Sequence, residues 1–325
     1  MTDLWRPTAS LEALRLRADL LARIRAFFAA RGVLEVETPL LSAATVTDLH
    51  LASLSTRGSG SGPLGGRALY LQTSPEYAMK RLLAAGSGPI YQLGKAFRDG
   101  EAGSRHNPEF TLLEWYRPGF DHHALMDEVD AFLAALLGLL AAERLSYRDL
   151  FRRHFGVDPL TAAVADLDGA VAEAGLVPPT FAADDRDGRL DLLLSHVVEP
   201  RLPRERPTFV YNYPASQAAL ARLRDGPDGV AVAERFEVFA GGLELANGFH
   251  ELADAGEQRR RFEVDLARRR AAGLPEVPID ERLLAALEAG LPDCAGVAIG
   301  FDRLVMLAAG AGAIDEVLAF PIDRC

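Results

Sequence analysis

The stretch from Gly94 to Tyr116 reads GKAFRDGEAGSRHNPEFTLLEWY, and it decides how the rest of the chain is interpreted. Its two flanks have the apolar character of strands, and its middle is a polar loop. The segment carries a dense set of functional side chains: Arg98, Glu101, Arg105, His106, Asn107, Glu109, Phe110 and Glu114. Such a set can present a guanidinium to an anion, carboxylates to amines and an aromatic ring for stacking. A solvated hairpin loop is the alternative.

A second polar set lies on a predicted hairpin, in which two apolar runs flank the glycine turn Ala240–Gly242. Glu237 and Glu244 should lie near each other across this ladder, with the help of a bulge. Two carboxylates at that distance suit an Mg²⁺–polyphosphate complex, although exposed strand carboxylates are the alternative. Asn247 and Glu251 continue the run. A carboxylate inside an apolar strand needs a cationic partner, and a bound ammonium group would provide one.

A third feature lies near the end of the chain, where the sequence reads AIGFDRLVML. Arg303 opens the apolar helix that this pattern predicts. The helix dipole disfavours a cation there unless an anion such as phosphate binds beside it. When this segment is considered alone, an ordinary surface arginine is the alternative.

Helix patterns cover much of the remaining chain. We predict helices over Ser10–Arg31, His123–Arg144 and Ala255–Ala271, with Ser10 capping the first. Residues from about 155 to 205 read as a helical insertion with Pro- and Asp-rich turns.

Strand and loop patterns complete the prediction. VLEVETP is a strand that ends at Pro39, Pro207–Pro214 is a buried strand, and Arg57–Arg67 is a glycine-rich loop. Hairpins combined with separate helices favour an α+β fold around an antiparallel sheet. We expect residues 1–325 to form a single domain of this kind.

Composition limits the class of protein. The chain has 325 residues, 49% of them hydrophobic, and two cysteines, which is too few for a disulfide framework. No apolar run reaches the roughly 18 residues of a membrane-spanning helix, and no secretory signal is recognisable, so we expect a cytoplasmic protein. The formal net charge of −11 argues against a protein that grips nucleic acid through its phosphates.

The histidines and cysteines give no metal pattern in the sequence. His122, His123, His154 and His196 have no ligand-like spacing with carboxylates or cysteines and are interpreted as surface or structural residues. A structural role is also expected for His250.

In order and spacing, these segments resemble the three signature motifs of class II aminoacyl-tRNA synthetases. The first motif is the N-terminal helix with VLEVETP, the second is FRDGE followed by RHNPEF, and the third is GFDR. TSPEYAMKRL (Thr73–Leu82), RHNPEFTLLEWY and ELANGFHEL are similar to the lysyl branch of this family. The resemblance covers nearly the whole chain, from about Leu11 to the end.

The resemblance implies an ATP site with two catalytic arginines. Arg98 would hold the α-phosphate and the substrate carboxylate, and Arg303 would grip the γ-phosphate and stack on adenine. Phe110 would stack on the other adenine face, and Glu237 and Glu244 would hold Mg²⁺. The full nucleotide-binding set implied by the resemblance is Arg98, Glu101, His106, Asn107, Phe110, Glu237, Glu244 and Arg303.

The resemblance also implies a site for a lysine-like substrate. Glu76 and Asn247 would position its backbone-like groups, and Tyr116 and Glu251 would recognise its terminal ammonium. Ala246 stands where several lysyl enzymes have glycine, and its methyl group would narrow the pocket beside the amine-bearing carbon. We therefore expect Ala246→Gly to gain activity with α-lysine.

Further departures separate this chain from a full lysyl-tRNA synthetase. We expect it to lack an anticodon-binding domain before the first motif, and Gly100 takes the place of the usual acid of the second motif. Together these departures resemble the truncated lysyl-tRNA synthetase paralogues. Members of that family adenylate (R)-β-lysine and transfer it to the ε-amine of a lysine on elongation factor P.

The resemblance therefore implies an AMP-forming ligase that uses ATP and Mg²⁺ and acts on elongation factor P, without tRNA or a membrane. The first-motif helix usually forms a two-fold interface in the family, so we expect a homodimer. One alternative is an adenylate-forming enzyme that acts on tRNA or another acceptor. A non-catalytic regulatory subunit is the other, although the intact set of Arg98, Glu237, Glu244 and Arg303 argues against it.

Overall fold

A computed structural model describes residues 5–62, 65–177, 182–226 and 228–325. The elements, in chain order, are α1 (Leu11–Ala29), β1 (Leu34–Glu35), β2 (Leu41–Ser42), β3 (Ser55–Arg57), β4 (Ala68–Leu71), α2 (Glu76–Ala84), β5 (Ile90–Phe97), β6 (Glu109–Pro118), α3 (His122–Leu137), β7 (Glu143–Ser146), α4 (Tyr147–Phe155), α5 (Val164–Glu173), α6 (Arg186–Leu193), β8 (Thr208–Pro214), β9 (Leu223–Asp225), β10 (Ala231–Ala240), β11 (Leu243–His250), α7 (Ala255–Ala271), α8 (Glu281–Gly290), β12 (Cys294–Gly300) and α9 (Phe301–Ala309). Within these ranges, no helix combines the length and the apolar character needed to cross a membrane. The chain divides into two compact units, one of residues 1–119 with 253–325 and one of residues 120–252.

The first unit is built on a sheet in the order β1-β5-β6-β12, with β1 parallel to β5 and the other pairs antiparallel. Helix α1 begins after Ser10, whose side chain accepts a hydrogen bond from the Ala13 amide, as predicted. Its inner side buries Phe28, which stacks on Tyr91 at 4.4 Å and meets Trp115 edge-on at 5.2 Å. These aromatic contacts fix α1 against one face of the sheet.

The second unit has a sheet in the order β7-β8-β10-β11, with β9 also paired to β10. Buried side chains of α4, α5 and α6, among them Tyr147, Phe151 and Leu190, pack in one core with side chains of this sheet such as Tyr213. Helices α5 and α6 lie within the predicted helical range of residues 155–205, and its interpretation as an insertion stays a prediction; residues 178–181 lie outside the described residues.

Several boundaries differ from the sequence prediction. The helix expected to reach Arg144 ends at Leu137, because Gly138 adopts a left-handed conformation (φ 66°) and closes it. Arg144 lies on β7 instead, where it pairs with Phe209. VLEVETP forms only a two-residue strand.

Other elements of the prediction hold. Helix α7 spans the predicted residues, and the glycine-turn hairpin is present as β10 and β11, so the α+β fold with its largely antiparallel sheet is confirmed. The expectation of a single domain over residues 1–325 stays a prediction.

Candidate active site

Strand β6 divides its side chains between the two faces of the sheet. Leu113 and Trp115 are fully buried against the core, and Phe110, Glu114 and Tyr116 alternate with them on the opposite side. Three residues that the sequence analysis drew from the second motif region therefore share one face of the sheet.

The neighbouring strand β12 has small residues on this face. In the register of β6 and β12, Glu114 lies opposite Ala298, Tyr116 opposite Gly296, and Leu112 opposite Gly300. Directly opposed residues share a face, so no large side chain of β12 stands beside Glu114 or Tyr116. Glycine and alanine at these positions add little side-chain volume to this face of the sheet. The sequence analysis did not single out Ala298.

Arg98 follows β5 and is positioned over the aromatic ring of Phe110. Its backbone amide donates to Pro108 O at 2.9 Å, and its guanidinium carbon lies 5.1 Å from the Phe110 ring centroid. Glu101 Oε1 is 3.6 Å from the guanidinium. The buried Nε of Arg98 has no hydrogen-bond partner among the described residues, so a donor is available for an anionic ligand.

Gly100 explains one departure from the second motif. Its φ of 78° lies in the left-handed region, which glycine adopts at little cost and an acidic residue adopts only with strain. The turn that brings Glu101 back toward Arg98 therefore depends on glycine at this position.

Arg303 lies in the first turn of α9, as predicted, and donates to His106 Nε2 over 2.6 Å. Desolvation and the adjacent Arg303 lower the pKa of His106 below its usual value, so the neutral ring accepts this hydrogen bond. The structure thus brings together two residues that are far apart in the chain and that the sequence analysis assigned to the nucleotide.

Asn107 is held mainly by structural bonds. Its Nδ2 donates to Glu109 O at 2.6 Å, and its Oδ1 accepts from the Ile322 amide at 2.9 Å. These bonds fix the loop around His106, while a contact of Asn107 with the nucleotide stays a prediction.

Asp302, which the sequence analysis missed, is the residue before Arg303 and joins three elements of the first unit. Its carboxylate accepts from the Arg17 guanidinium at 2.5 Å and from the Thr111 amide at 2.7 Å, and its side chain is only 3% exposed. The three residues tie α1, β6 and α9 together. No periodicity in the sequence distinguishes this aspartate from a surface acid in the first turn of a helix.

We expect Asp302→Ala to destabilise the protein by about 3–5 kcal/mol, because it leaves the partly buried Arg17 guanidinium without its carboxylate. Chemical denaturation gives this free energy of unfolding directly. Asp19→Ala is the matched control, since Asp19 and Arg23 form an exposed ion pair on α1 at 3.6 Å. Removal of that pair should cost less than about 1 kcal/mol. If the two variants lost the same free energy of unfolding, Asp302 would not be needed to hold α1, β6 and α9 together.

The acidic residues of the first unit form a network on α2 and β6. Glu114 is 2% exposed and accepts from Ser74 Oγ at 2.7 Å and from Tyr116 Oη at 2.6 Å. Ser74 also accepts from the Glu76 amide, and the Glu76 carboxylate accepts from the buried Lys80 at 2.7 Å. The sequence analysis assigned Tyr116 and Glu76 to the substrate, and Glu114 is the buried carboxylate that joins them.

In the second unit, the β10–β11 hairpin carries a bulge, as predicted. Glu237 lies opposite Asn247, the register then shifts, and Glu244 lies opposite Phe239. Glu237 and Glu244 are thus offset along the ladder and are not direct partners.

Arg235 organises this side of the hairpin. Its guanidinium donates to Glu237 at 2.5 Å and to Asn247 Oδ1 at 3.3 Å, and Tyr213 Oη donates to the other oxygen of Glu237 at 2.7 Å. Burial lowers the pKa of Arg235, but Glu237, Tyr213 and Glu244 more than reverse this and raise it. The same cation therefore acts on both glutamates, which the sequence analysis could not foresee.

Ala246 lies on the other side of the hairpin. It pairs with Val238 and is 2% exposed, while Asn247 and Glu237 alternate to the opposite face. Its methyl group therefore does not point toward Asn247, and the proposed effect of Ala246 on substrate choice stays a prediction. Glu251, the other carboxylate assigned to the substrate, is 2% exposed.

Comparison with known proteins agrees with this geometry. The family model described as tRNA synthetases class II (D, K and N) matches residues 1–324. The chain belongs to this family. The class II synthetase fold expected from the sequence is thereby confirmed.

Individual relatives in this synthetase family are similar over their whole length. The chain is 55% identical, over 323 residues, to the elongation factor P–(R)-β-lysine ligase of Klebsiella pneumoniae subsp. pneumoniae. It is also 55% identical, over 323 residues, to the protein of the same name in Salmonella paratyphi B. In each case the alignment covers 99% of both chains.

Proposed function

We propose that this chain is an ATP-dependent ligase that activates (R)-β-lysine as an adenylate and transfers it to a lysine ε-amine of elongation factor P. The observation that carries the proposal is the 55% identity, over 99% of both chains, to ligases with this name. The residues that share a face of β6 with Glu114 support it, because they offer groups for a nucleotide and for an amine.

In the first step, a carboxylate oxygen of the amino acid attacks the α-phosphorus of ATP, and pyrophosphate leaves. Arg98 stabilises the negative charge that develops on the phosphorus oxygens, and its available Nε supports this role. Arg303, held by His106, binds the terminal phosphates, and Phe110 provides a face for adenine. Orientation and charge supply the catalysis, so no covalent nucleophile of the protein is needed.

In the second step, the ε-amine of the acceptor lysine attacks the acyl carbon, and AMP leaves with the electrons of the broken bond. The acceptor amine must lose a proton for this attack. The products are an amide on the acceptor protein and free AMP, so the reaction consumes one ATP for each lysyl group transferred.

The family implies a divalent metal, and Glu237 and Glu244 fit it chemically. Carboxylate oxygens are the ligands that Mg²⁺ prefers. Arg235 and Tyr213 each donate to a different oxygen of Glu237, which fixes the orientation of this carboxylate. We propose that these two glutamates hold Mg²⁺, which when bound would offset the charge of the phosphates.

The positively charged ammonium groups of the substrate need carboxylates as partners in the site. A buried carboxylate is costly unless a cation accompanies it, and a substrate ammonium reduces that cost. We propose that Glu114 and Tyr116, with Glu251, receive the side-chain ammonium, while Glu76 and Asn247 position the remaining polar groups.

We further propose a homodimer. The first residues of the chain carry apolar side chains that are 40–73% exposed: Trp5, Leu11, Leu34, Leu40 and Leu41. Apolar side chains exposed this close together in a sequence support a protein–protein interface.

The net charge of the chain bears on the nature of the acceptor. A net charge of −11 disfavours binding to the phosphate backbone of a nucleic acid. We therefore propose a cytoplasmic enzyme that acts on a protein rather than on tRNA.

We expect the double substitution Leu11→Glu and Leu41→Glu to convert a dimer into monomers, because each charge would be buried without a partner in the interface. Sedimentation velocity measures the assembly state. Leu140→Glu is the control, because Leu140 is 56% exposed but belongs to the other unit. A double variant that sediments like the parent chain would contradict this interface.

The decisive experiment is the intact mass of purified elongation factor P after incubation with this chain, Mg·ATP and (R)-β-lysine. A parallel reaction contains α-lysine instead. We expect an increase of one lysyl unit, larger with the β isomer, that disappears with the Arg98→Ala variant. Pyrophosphate exchange without any mass increase would rule out this acceptor and leave only the activation step.

A further inference from the structure

Three side chains from different elements of the second unit converge on the side of the hairpin away from Glu237 and Asn247. They are His122 in the first turn of α3, Glu234 on β10 and His250, the last residue of β11. One potential ligand atom from each lies within 4.8 Å of the other two, and all three residues are buried. The register that pairs Arg235 with Phe249 puts Glu234 opposite His250 and on the face that Arg235 does not use.

We propose that His122, Glu234 and His250 form a binding site for a zinc ion that is separate from the ATP site. Two imidazoles and one carboxylate are a ligand set that proteins use for zinc, with a water molecule in the fourth position. Mg²⁺ and Ca²⁺ favour sites made only of oxygens, so the two nitrogen ligands select a transition metal.

The distances already approach those of a metal site. His250 Nδ1 is 2.6 Å from Glu234 Oε2, and His122 Nδ1 is 4.0 Å from Glu234 Oε1. Ligands about 2.0–2.3 Å from zinc are separated from one another by little more than 3 Å in a tetrahedron. A small rotation of His122 and separation of His250 from Glu234 would therefore admit the ion. Zinc would replace the proton that His250 shares with Glu234.

His122 provides the observation that points most directly to a ligand. Its side chain is 1% exposed, yet its Nδ1 has no hydrogen-bond partner in the described part of the chain. A buried polar atom without a hydrogen bond is costly, and a metal ion would satisfy it.

Asn212 fixes the orientation of that ring. Its Oδ1 lies 3.3 Å from His122 Nε2 and can only accept, so Nε2 carries the proton and the lone pair of Nδ1 faces Glu234. Zinc-bound histidines commonly donate their second ring nitrogen to such an acceptor. Asn212 also has a φ of 57° at a position where β8 and β10 lose register, which is a strained conformation for a residue within a strand.

The Arg224 guanidinium would compete with the zinc ion for the carboxylate of Glu234. Arg224 Nε lies 3.3 Å from Glu234 Oε1. The Arg224 side chain is 36% exposed, so its guanidinium can turn into solvent when the carboxylate binds zinc. The site itself is buried, and an ion bound there would tie the start of α3 to β10 and β11.

The test uses the full chain, stripped of metal with a chelator and then titrated with Zn²⁺ by calorimetry. Co²⁺ serves as a spectroscopic probe, because a low-symmetry site gives visible absorption bands. We expect one Zn²⁺ per chain, a higher melting temperature in its presence, and visible Co²⁺ bands. Glu234→Gln and His122→Ala should each weaken binding by at least about 10- to 100-fold, since even indirect partners of a metal contribute that much.

His123→Ala is the matched control, because the exposed His123 is the next residue and its ring lies 4.1 Å from that of His122. This variant should bind zinc like the parent chain. Glu234→Gln keeps the shape of the side chain, and circular dichroism checks that each variant is folded. Absence of binding to the parent chain would overturn the proposal, as would equal binding by the parent chain and both ligand variants.

Discussion

Arg98→Ala should abolish ATP–pyrophosphate exchange with every lysine isomer, with a loss in kcat of at least about 100- to 1,000-fold. The reason is that the charge developing on the α-phosphate would lose a fixed donor, and removal of one such donor typically costs this much. Arg98 is placed by its own backbone bond to Pro108 and by the Phe110 ring, so alanine should leave the surrounding loop in place. Exchange of labelled pyrophosphate into ATP measures the effect without any acceptor protein.

Arg98→Lys separates charge from geometry. Lysine keeps the positive charge but lacks the planar fork that binds two oxygens together, so we expect it to restore only a small part of the activity. Arg259→Ala is the control, since Arg259 forms an exposed ion pair with Glu281 at 2.5 Å on α7 and α8. If Arg98→Ala exchanged pyrophosphate at the rate of this control, Arg98 would have no role in activation.

Glu114→Gln should raise the KM for the lysine-like substrate by about 30- to 1,000-fold, while the KM for ATP stays close to its original value. Glutamine can still accept from Ser74 or Tyr116, but it lacks the negative charge that an ammonium needs. Loss of one partner of a buried charged pair costs about 2–4 kcal/mol, which corresponds to that change in affinity. Initial rates of pyrophosphate exchange at varied substrate and ATP concentrations give the two constants separately.

Tyr116→Phe is the companion variant. It removes one neutral donor from Glu114 and leaves the charge in place. We expect a change of about fivefold in the same constant, in line with a single hydrogen bond. If both KM values rose equally in Glu114→Gln, the residue would support the sheet as a whole and would not select the amine.

The sequence predicted best where local pattern determines the structure. Ser10, the glycine turn after Ala240 and the periodicity of α7 are local signals, and the corresponding elements are present. The bulge between Glu237 and Glu244 was also predictable, because their spacing is incompatible with direct pairing. The end of α3 was wrong, since the apolar pattern continues past Gly138 although its conformation closes the helix.

Contacts between segments that are far apart in the chain could not be predicted from the sequence. Asp302 meets Arg17 across 285 positions, and the sequence offers no periodic signal for such a pair. Glu114 looked like any other acid of a polar segment until β6 placed it beside Tyr116 and Ser74. His122 and His250 likewise come together only because α3 packs against the hairpin. Resemblance to a family supplied roles for individual residues, but only the packing shows which side chains support them.

The hydrogen bonds that join Arg17, Asp302 and Thr111 imply a thermodynamic linkage between subunit association and nucleotide binding. Arg17 belongs to the helix that we place near the subunit interface, and Asp302 immediately precedes Arg303, for which we propose a role in phosphate binding. The coupling free energy between two such sites is reciprocal, so each binding event changes the affinity of the other by the same factor. If association of subunits steadies α1 and thereby Arg303, then saturation with ATP must favour association to the same extent. Nucleotide would consequently lower the dissociation constant of the dimer, and dilution of the protein would weaken its hold on nucleotide.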